Sequence, residues 1–336
     1  MSHTDIQAPI ATADEEHLQL TEYQAALSRM ADNVRSQGDP VQADKLRELN
    51  DKLGSGRLTV AFCGHFSAGK STLVNALCGA ELLPSSPIPT SANVVTIVNG
   101  EPFAETIFHE ASGRAHEARR IGVEELHGYA VDGEGVSTIR VSYPIPLLGE
   151  QLALVDTPGV DSTDGSHRAA TESALHLADV VFYVTDYNHV QSEVNFRFLR
   201  SLARWGKPTY VIVNQIDKHR EDQLPFSEFE RSLRLALKQW DIEPAGVLYL
   251  SMREKDHPLS QWEETTRMLR DLQPLAAPLM IRSAKRSAIY LAEQFKETLR
   301  ANDREERERL QQAVGEESDA LRAEARASLI AQLDEA

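Results

Sequence analysis

The spacing of apolar residues divides the chain into three regions. In the first region apolar side chains recur at alternating steps of three and four, the pattern of one helix face, at Leu20, Tyr23, Leu27, Met30 and Val34. Residues 36–40 contain glycine and proline and end this helix, and residues 41–53 have a second helical pattern. We therefore predict two helices within residues 16–54, after a polar tail over residues 1–15 that we expect to be disordered.

The middle region, residues 55–272, alternates short apolar runs with longer amphipathic stretches. Several runs are continuously apolar, as expected for strands covered on both faces. The predicted strands are residues 58–63, 94–98, 138–143, 152–155, 180–185, 209–214 and 247–250. Because the stretches between them are long enough for crossover helices, the pattern predicts an α/β fold with a mostly parallel central sheet flanked by helices.

The third region, residues 273–336, has the pattern of a long, charged, amphipathic helix or helix pair. Its apolar stripe includes residues 284, 288, 291, 295 and 299 and continues to Leu310 and Val314. Such a helix needs a partner to cover its stripe, and the N-terminal helices are the candidates. We therefore predict an α-helical bundle built from both ends of the chain, joined to the α/β domain near Pro274 and Pro278, which mark a boundary or hinge.

Composition excludes several classes of protein. The chain has 336 residues with 41% apolar side chains, enough for a large core, and its net charge of -16 disfavours nucleic-acid binding and charge-driven adsorption to anionic membranes. Cys63 and Cys78 are expected to be reduced and buried. The N-terminus lacks the order of a signal peptide, and no apolar run is long enough to span a bilayer, so we expect a cytoplasmic protein.

A glycine-rich turn follows the first apolar run. It matches G-x-x-x-x-G-K-[ST] between a predicted strand and a predicted helix, the context of a phosphate-binding loop. Lys70 would contact the β- and γ-phosphates, Ser71 would ligate Mg²⁺, and Thr72 would lie against the α-phosphate. The predicted nucleotide-binding residues of this loop are Gly64, His65, Phe66, Ser67, Ala68, Gly69, Lys70, Ser71 and Thr72.

Two further segments are candidates for the metal and the γ-phosphate. Asp156-Thr157-Pro158-Gly159 follows an apolar strand, so Asp156 could hold Mg²⁺ through water and the Gly159 N–H could contact the γ-phosphate; the alternative is an ordinary turn. Between the two motifs, the proline-rich residues 83–91 could present Thr90 to Mg²⁺ and the γ-phosphate. Ser85, Ser86 and Ser91 are competitors of Thr90, and a rigid surface loop is the alternative for the whole segment.

The base is predicted to bind where two later strands end. Asn214-Gln215-Ile216-Asp217 follows one of them, and the Asp217 carboxylate could accept the N1 and N2 protons of guanine, a donor pair that adenine lacks. Gln215 replaces the lysine of the usual N-K-x-D motif, whose stem covers the base, so the preference for GTP over ATP rests on Asp217. Ser251, after the next strand, would lie near guanine O6.

Together GHFSAGKST, LPSSPIPTSANVV, DTPG and NQIDKH resemble the GTPase domain of bacterial dynamin-like proteins. The resemblance covers residues 55–272 in detail and extends to the flanking segments, 16–54 and 273–336, as the neck or stalk helices of that family. Some members carry two dynamin-like halves, and on that pattern this chain is one GTPase head with part of its stalk. The resemblance implies Mg²⁺, GTP and GDP as ligands, a homodimer through the heads, and peripheral contact with membrane lipid through regions outside this chain.

The resemblance also implies how GTP is cleaved. The water-positioning glutamine of small GTPases is replaced by Val160, and the P-loop glutamine of dynamins by Phe66, whose alternative role is packing in the loop or at the head interface. Ser67 matches the serine that holds K⁺ or Na⁺ against the bridging oxygen in dynamins, where a cation offsets developing charge. Head pairing would then order the main chain near Thr90 and Gly159 around the attacking water. The implied catalytic residues are Ser67, Lys70, Thr90 and Gly159.

Three functions fit these observations. The first is a mechanochemical GTPase that remodels, tethers or fuses membranes after head-to-head dimerisation. The second is a regulatory switch GTPase acting on a protein partner. The third is a scaffold that binds GTP and barely hydrolyses it, which the side chains at Phe66 and Val160 would allow. Helices on both sides of the GTPase domain favour the first.

Overall fold

The computed structural model describes residues 13–65, 67–84, 94–108, 118–123, 126, 136–159, 171 and 174–334. Within these ranges the α-helices are α1 (Ala13–Ser36), α2 (Pro40–Gly54), α3 (Lys70–Cys78), α4 (Glu193–Arg204), α5 (Phe226–Gln239), α6 (Trp262–Leu272) and α7 (Ala276–Asp334). The strands are β1 (Leu58–Cys63), β2 (Val94–Asn99), β3 (Phe103–Phe108), β4 (Ala118–Ile121), β5 (Val136–Tyr143), β6 (Leu152–Asp156), β7 (Val180–Asp186), β8 (Thr209–Asn214) and β9 (Gly246–Tyr249).

The described strands form one sheet in the order β4-β3-β5-β2-β6-β1-β7-β8-β9. The half from β6 to β9 is wholly parallel, β2 is antiparallel to β6 and parallel to β5, and β3 is antiparallel to both of its neighbours. The predicted mixed α/β architecture is therefore confirmed. The parallel half is the part that carries the phosphate-binding turn.

Strands β3 and β4 were missing from the prediction. They lie at one edge of the sheet, and Arg119 and Arg120 of β4 are exposed. The Arg120 guanidinium lies 4.3 Å from the centroid of the Phe103 ring, and Glu105 of β3 stands opposite it in the strand register. Such an edge strand has charged side chains where a central strand has apolar ones, so it leaves no apolar run for sequence analysis to detect.

The sheet separates two apolar layers. In β1, Val60 and Phe62 belong to the layer that also holds α1, α2, α3, α6 and the first part of α7, whereas Ala61 and Cys63 belong to the layer with α4 and α5. Every residue of β1 is buried, which explains its continuous apolar run. Cys63 and Cys78 are free and buried as predicted, and burial raises the pKa of each thiol to about 12.

The terminal helices share the core of the α/β domain. The buried face of α2 consists of Ala43, Leu46, Leu49 and Leu53, spaced by three and four residues. These side chains pack in the same apolar cluster as the sheet residues, together with residues of α1 and with Met280, Ala284 and Leu291 of α7. The first part of the helical bundle is therefore packed onto the sheet.

Helix α7 is one continuous helix of 59 residues. Pro278 lies in its first turn, where the missing N–H removes no helical hydrogen bond, so it does not interrupt the helix. The stripe predicted at Leu310 and Val314 is not buried: these side chains are 60% and 65% exposed. Among the described helices, none combines the length and the apolar character needed to cross a membrane.

A buried polar cluster lies where the sheet meets the terminal helices. The Lys207 ammonium, before β8, donates to three carbonyl groups within residues 175–178, at 2.9 Å for residue 175. Ser283 of α7 donates to the carbonyl of Ala178 at 3.1 Å, and Ser287 to that of His176 at 3.4 Å. The segment that leads into β7 is thus bonded by side chains from α7 and from the loop before β8.

Helix α2 is bonded to the same segment. Lys52 forms a buried ion pair with Asp179, whose carboxylate also accepts the N–H of Thr59 at 2.8 Å. His176 Nε2 lies 2.8 Å from the Lys45 carbonyl oxygen. Burial, with a contribution from Lys207, lowers the pKa of His176 to about 4, so its imidazole is neutral in the folded protein at pH 7.

We predict that Lys207→Met lowers the free energy of unfolding by about 2–4 kcal/mol, because it leaves buried carbonyls without a donor. Denaturant titration measures this value. Lys238→Met, at an exposed lysine of α5, is the matched control and should change stability by less than about 0.5 kcal/mol. An equal effect of the two substitutions would contradict the structural role of Lys207.

The stability difference between wild type and Lys207→Met should also depend on pH. Burial lowers the pKa of Lys207 to about 7, against about 10.4 in an unfolded chain. At pH values between these two pKa values, Lys207 binds more protons in the unfolded chain than in the folded protein. Its contribution to the free energy of unfolding therefore rises with pH. The stability difference between wild type and Lys207→Met should therefore widen from about pH 7 to about pH 9. A constant difference would mean that the folded protein keeps this proton.

Candidate nucleotide-binding site

Two glycines of the turn between β1 and α3 lie very close to neighbouring groups, one to the backbone of β7 and one to the side chain of Asn214. Gly64 has φ +146°, and a Cβ placed there would lie 1.9 Å from the Val184 carbonyl oxygen. Gly69 has φ +87°, and its Cβ would lie 2.4 Å from Asn214 Nδ2. Only glycine fits such contacts. The turn therefore lies directly against β7 and the end of β8, at the carboxyl edge of the parallel strands.

Lys70 begins α3 with its side chain folded back over the turn. Its ammonium donates to the carbonyl oxygens of Gly64 and His65, each at 3.0 Å, and the residue is 8% exposed. Ser67 adopts a left-handed conformation with φ +65° and is exposed. The ammonium therefore lies over the turn that leads into the α3 N-terminus, where the sequence predicts phosphate binding. Phe66 lies outside the described residues.

Ser71 and Asp156 meet at the same edge of the sheet. The Ser71 hydroxyl donates to Asp156 Oδ2 at 2.7 Å, and Asp156 Oδ1 is buried without a hydrogen-bond partner. Burial raises the pKa of Asp156 to about 6, although Lys70 and Ser71 act in the opposite direction. A hydroxyl and a carboxylate with a free oxygen are hard ligands that fit Mg²⁺, which normally keeps several waters or phosphate oxygens. Thr90, the other predicted metal ligand, lies outside the described residues.

The D-T-P-G segment continues directly from β6. Thr157 is anchored to the Phe62 carbonyl oxygen through its N–H at 3.2 Å and its hydroxyl at 3.0 Å. Gly159 is half-buried two residues further on, and the Pro158 carbonyl accepts the Thr171 hydroxyl at 3.3 Å. The motif is therefore fixed to the end of β1 beside the phosphate-binding turn. Val160 lies outside the described residues.

The predicted base-binding residues are connected to the same turn. Asn214 Nδ2 donates to the Ala68 carbonyl at 2.9 Å, and Gln215 Nε2 donates to that of Ser67 at 3.2 Å. Beyond them, the fully buried Ser251 donates its hydroxyl to Asp217 Oδ1 at 2.7 Å. Ser251 therefore orients the Asp217 carboxylate, and its predicted contact with guanine O6 stays a prediction.

The structure adds Asp186 to the site. It ends β7 beside Asn214 of β8, and its carboxylate lies 2.9 Å from both His65 Nε2 and His189 Nδ1. Burial alone would raise the pKa of Asp186, but the hydrogen bond from His189 and the charge of His65 outweigh it and lower that pKa. His65 is thereby tied to β7 instead of pointing freely into solvent. A carboxylate directly after the apolar run of β7 was the available sequence signal.

A strand–glycine turn–helix unit, a lysine folded over the turn and a Ser–Asp pair at the carboxyl edge of a parallel sheet define the chain as a P-loop nucleotide-binding protein. A model of the dynamin family matches residues 60–217. Dynamin-like protein A of Bacillus subtilis (strain 168) is 38% identical over 224 residues, which is 66% of this chain and 19% of that protein.

Two solved chains of an oligomerised bacterial dynamin pair, described as a mechanism for long-range sensing and tethering of membranes, have the same fold. Their TM-scores are 0.52 and 0.53, with 18% and 14% identity. The alignments cover 93% and 90% of this chain but 50% and 59% of those chains, so this chain spans well under two thirds of its relatives. Over residues 60–217 the chain is therefore similar to the dynamin family, and the relatives named above are bacterial dynamin-like proteins.

The Asp217 prediction has a direct test. Asp217→Asn removes a charged acceptor for the guanine N–H donors, which should weaken GTP binding about 10- to 150-fold. The asparagine amide can donate to the C2 carbonyl of xanthine, so affinity for xanthosine triphosphate should rise. Titration with both nucleotides measures this change of specificity. Asp222→Asn, at a nearby exposed carboxylate, is the control and should bind both nucleotides as wild type does. Undiminished GTP affinity in Asp217→Asn would refute this base-binding assignment.

Proposed function

We propose that the protein binds and hydrolyses GTP and acts as a mechanochemical GTPase that dimerises through its heads to tether or remodel membranes. One observation carries the nucleotide part of this proposal. Ser71, which donates to Asp156, directly follows the phosphate-binding turn. Gln215 donates to the Ser67 carbonyl of the same turn and stands two residues before Asp217, which accepts from Ser251. A metal-and-phosphate end and a guanine end are thus joined in one site.

Each residue of the nucleotide site that the structure describes has a proposed task. Lys70 exchanges the carbonyls of Gly64 and His65 for β- and γ-phosphate oxygens, and the α3 N-terminus binds the β-phosphate. Ser71 would hold Mg²⁺ directly and Asp156 would hold it through water, and the ion would supply positive charge near the β- and γ-phosphates. The Gly159 N–H contacts the γ-phosphate.

Hydrolysis itself is proposed to depend on a second head. Neither Phe66 nor Val160 can orient water as a glutamine does. Ser67 is exposed in a left-handed turn at the site and would help to hold K⁺ or Na⁺, which would supply positive charge near the bridging oxygen. The facing head orders the main chain around Thr90 and Gly159, which then hold the attacking water.

The membrane part of the proposal rests on the helical segments and on the tethering relatives. Residues 301–314 of α7 are exposed beyond the shared core, and a charged helix of this kind favours a stalk that continues into further helices. The net charge of -16 disfavours direct adsorption of this chain to anionic lipid. Lipid contact is therefore assigned to regions outside this chain.

The predicted kinetic behaviour is specific. GTP turnover per molecule should rise with protein concentration as heads pair, and should be faster in K⁺ or Na⁺ than with a large organic cation at equal ionic strength. Phosphate release measured across a concentration series gives both quantities. Turnover indifferent to concentration and to the cation would contradict the paired-head mechanism, and negligible turnover with tight GTP binding would favour a scaffold.

Membrane action needs a separate experiment. Liposome tethering and content mixing should be measured with this chain and with a longer protein that carries the following segments, each with GTP and with GDP. We expect GTP-dependent tethering by the longer protein and weak lipid binding by this chain alone. Normal GTP turnover without any liposome effect in either protein would favour the regulatory switch GTPase.

A further inference from the structure

The substitution of the usual N-K-x-D lysine by Gln215 is accompanied by a contact that the motif alone does not predict. Gln215 Nε2 donates to the Ser67 carbonyl at 3.2 Å, and Gln215 Oε1 accepts from the Lys218 ammonium at 2.5 Å. The amide thus lies between the phosphate-binding turn and a lysine. A positive charge is present beside the base-binding strand end, three residues later than in the usual motif.

Local backbone geometry explains why these two side chains meet. Gln215 has φ +63° and precedes a 3-10 turn over Ile216–Lys218, in which the Lys218 N–H donates to the Gln215 carbonyl at 3.0 Å. In a 3-10 turn, side chains three residues apart lie on the same side. The N–H of Gln215 is also held by Asn214 Oδ1 at 2.8 Å. The pairing is therefore set by the turn.

The charge of Lys218 is directed to this amide. The nearby carboxylate of Glu221 bonds other groups: it accepts the N–H of Phe226 at 3.0 Å and lies 3.0 Å from His219 Nε2. Bonding of an ammonium to the amide oxygen polarises the amide and makes its N–H a stronger donor to the Ser67 carbonyl. In water an exposed contact of this kind is weak. A base covering it would exclude water and strengthen it.

We propose that Gln215 and Lys218 together perform the task of a single N-K-x-D lysine: the Gln215 amide lies against the guanine and bonds the phosphate-binding turn, while Lys218 supplies the positive charge. Lys218 is then a positioning residue that acts through Gln215 on nucleotide affinity. This inference rests on the proposed binding of guanine nucleotides.

The test is a double-mutant cycle on nucleotide affinity. Fluorescent GDP and GTP are titrated into wild type, Gln215→Ala, Lys218→Ala and the double variant. Lys218→Ala should weaken both nucleotides about three- to tenfold, since a hydrogen bond to a charged group is lost. Because Lys218 acts through Gln215, the double variant should be no weaker than Gln215→Ala. In Lys218→Ala, the KM for GTP should rise while kcat stays unchanged.

Rescue variants separate this role from a merely structural one. Lys218→Arg keeps the cation and should retain wild-type affinity within about twofold, whereas Lys218→Gln should not. Gln215→Lys restores the usual motif, so Lys218→Ala should have little effect in that background. Arg220→Ala removes a neighbouring exposed cation and should leave affinity unchanged. Thermal melting of each variant verifies that the fold is retained.

Two results would overturn the inference while leaving guanine-nucleotide binding intact. Wild-type affinity in Lys218→Ala is one, and strictly additive losses in the double variant are the other, because they would place the two residues in independent roles. Failure of the wild-type protein to bind GTP or GDP would overturn the proposed function itself, and this inference with it.

Discussion

The nucleotide site depends on two close approaches made by glycines of the phosphate-binding turn. At Gly64 and Gly69 the turn between β1 and α3 approaches β7 and the side chain of Asn214 so closely that no Cβ can be accommodated. This approach fixes the turn against the carboxyl ends of β7 and β8. Lys70, Ser71 and the α3 N-terminus are positioned by it, because each follows within two residues of Gly69. The phosphate end and the base end of the site share this one constraint.

The opposite ends of the same strands are bonded to the terminal helices. Asp179 and Lys207 precede β7 and β8, and they bind α2 and the carbonyls that α7 also bonds. Both groups are charged at neutral pH in an unfolded chain, and their burial is tolerated because several polar partners converge on each. The strands therefore carry the nucleotide site at their carboxyl ends and the polar contacts to the terminal helices at their opposite ends, and these helices share one apolar cluster with one face of the sheet.

Sequence analysis identified the central strands, because strands covered on both faces are continuously apolar. It predicted the phosphate-binding turn and a metal-binding role for Asp156, because such chemistry requires fixed residue types at short spacing. It missed β4, whose exposed arginines belong to an edge strand, and it missed Asp186, whose role depends on His65 being brought across from another strand end. Fold class and motif content were predictable, whereas partners distant in sequence were not.

The division has a physical reason. Local patterns along the sequence determined the helices, the buried strands, the glycine turn and the residue types able to bind phosphate, metal and guanine, since each depends on neighbours a few residues apart. Only the tertiary structure decided that Ser71 donates to Asp156, that Ser251 donates to Asp217, and that Gln215 bonds the Ser67 carbonyl. These contacts join residues from different strand ends, and their geometry follows from sheet order and from the close approach at the two glycines.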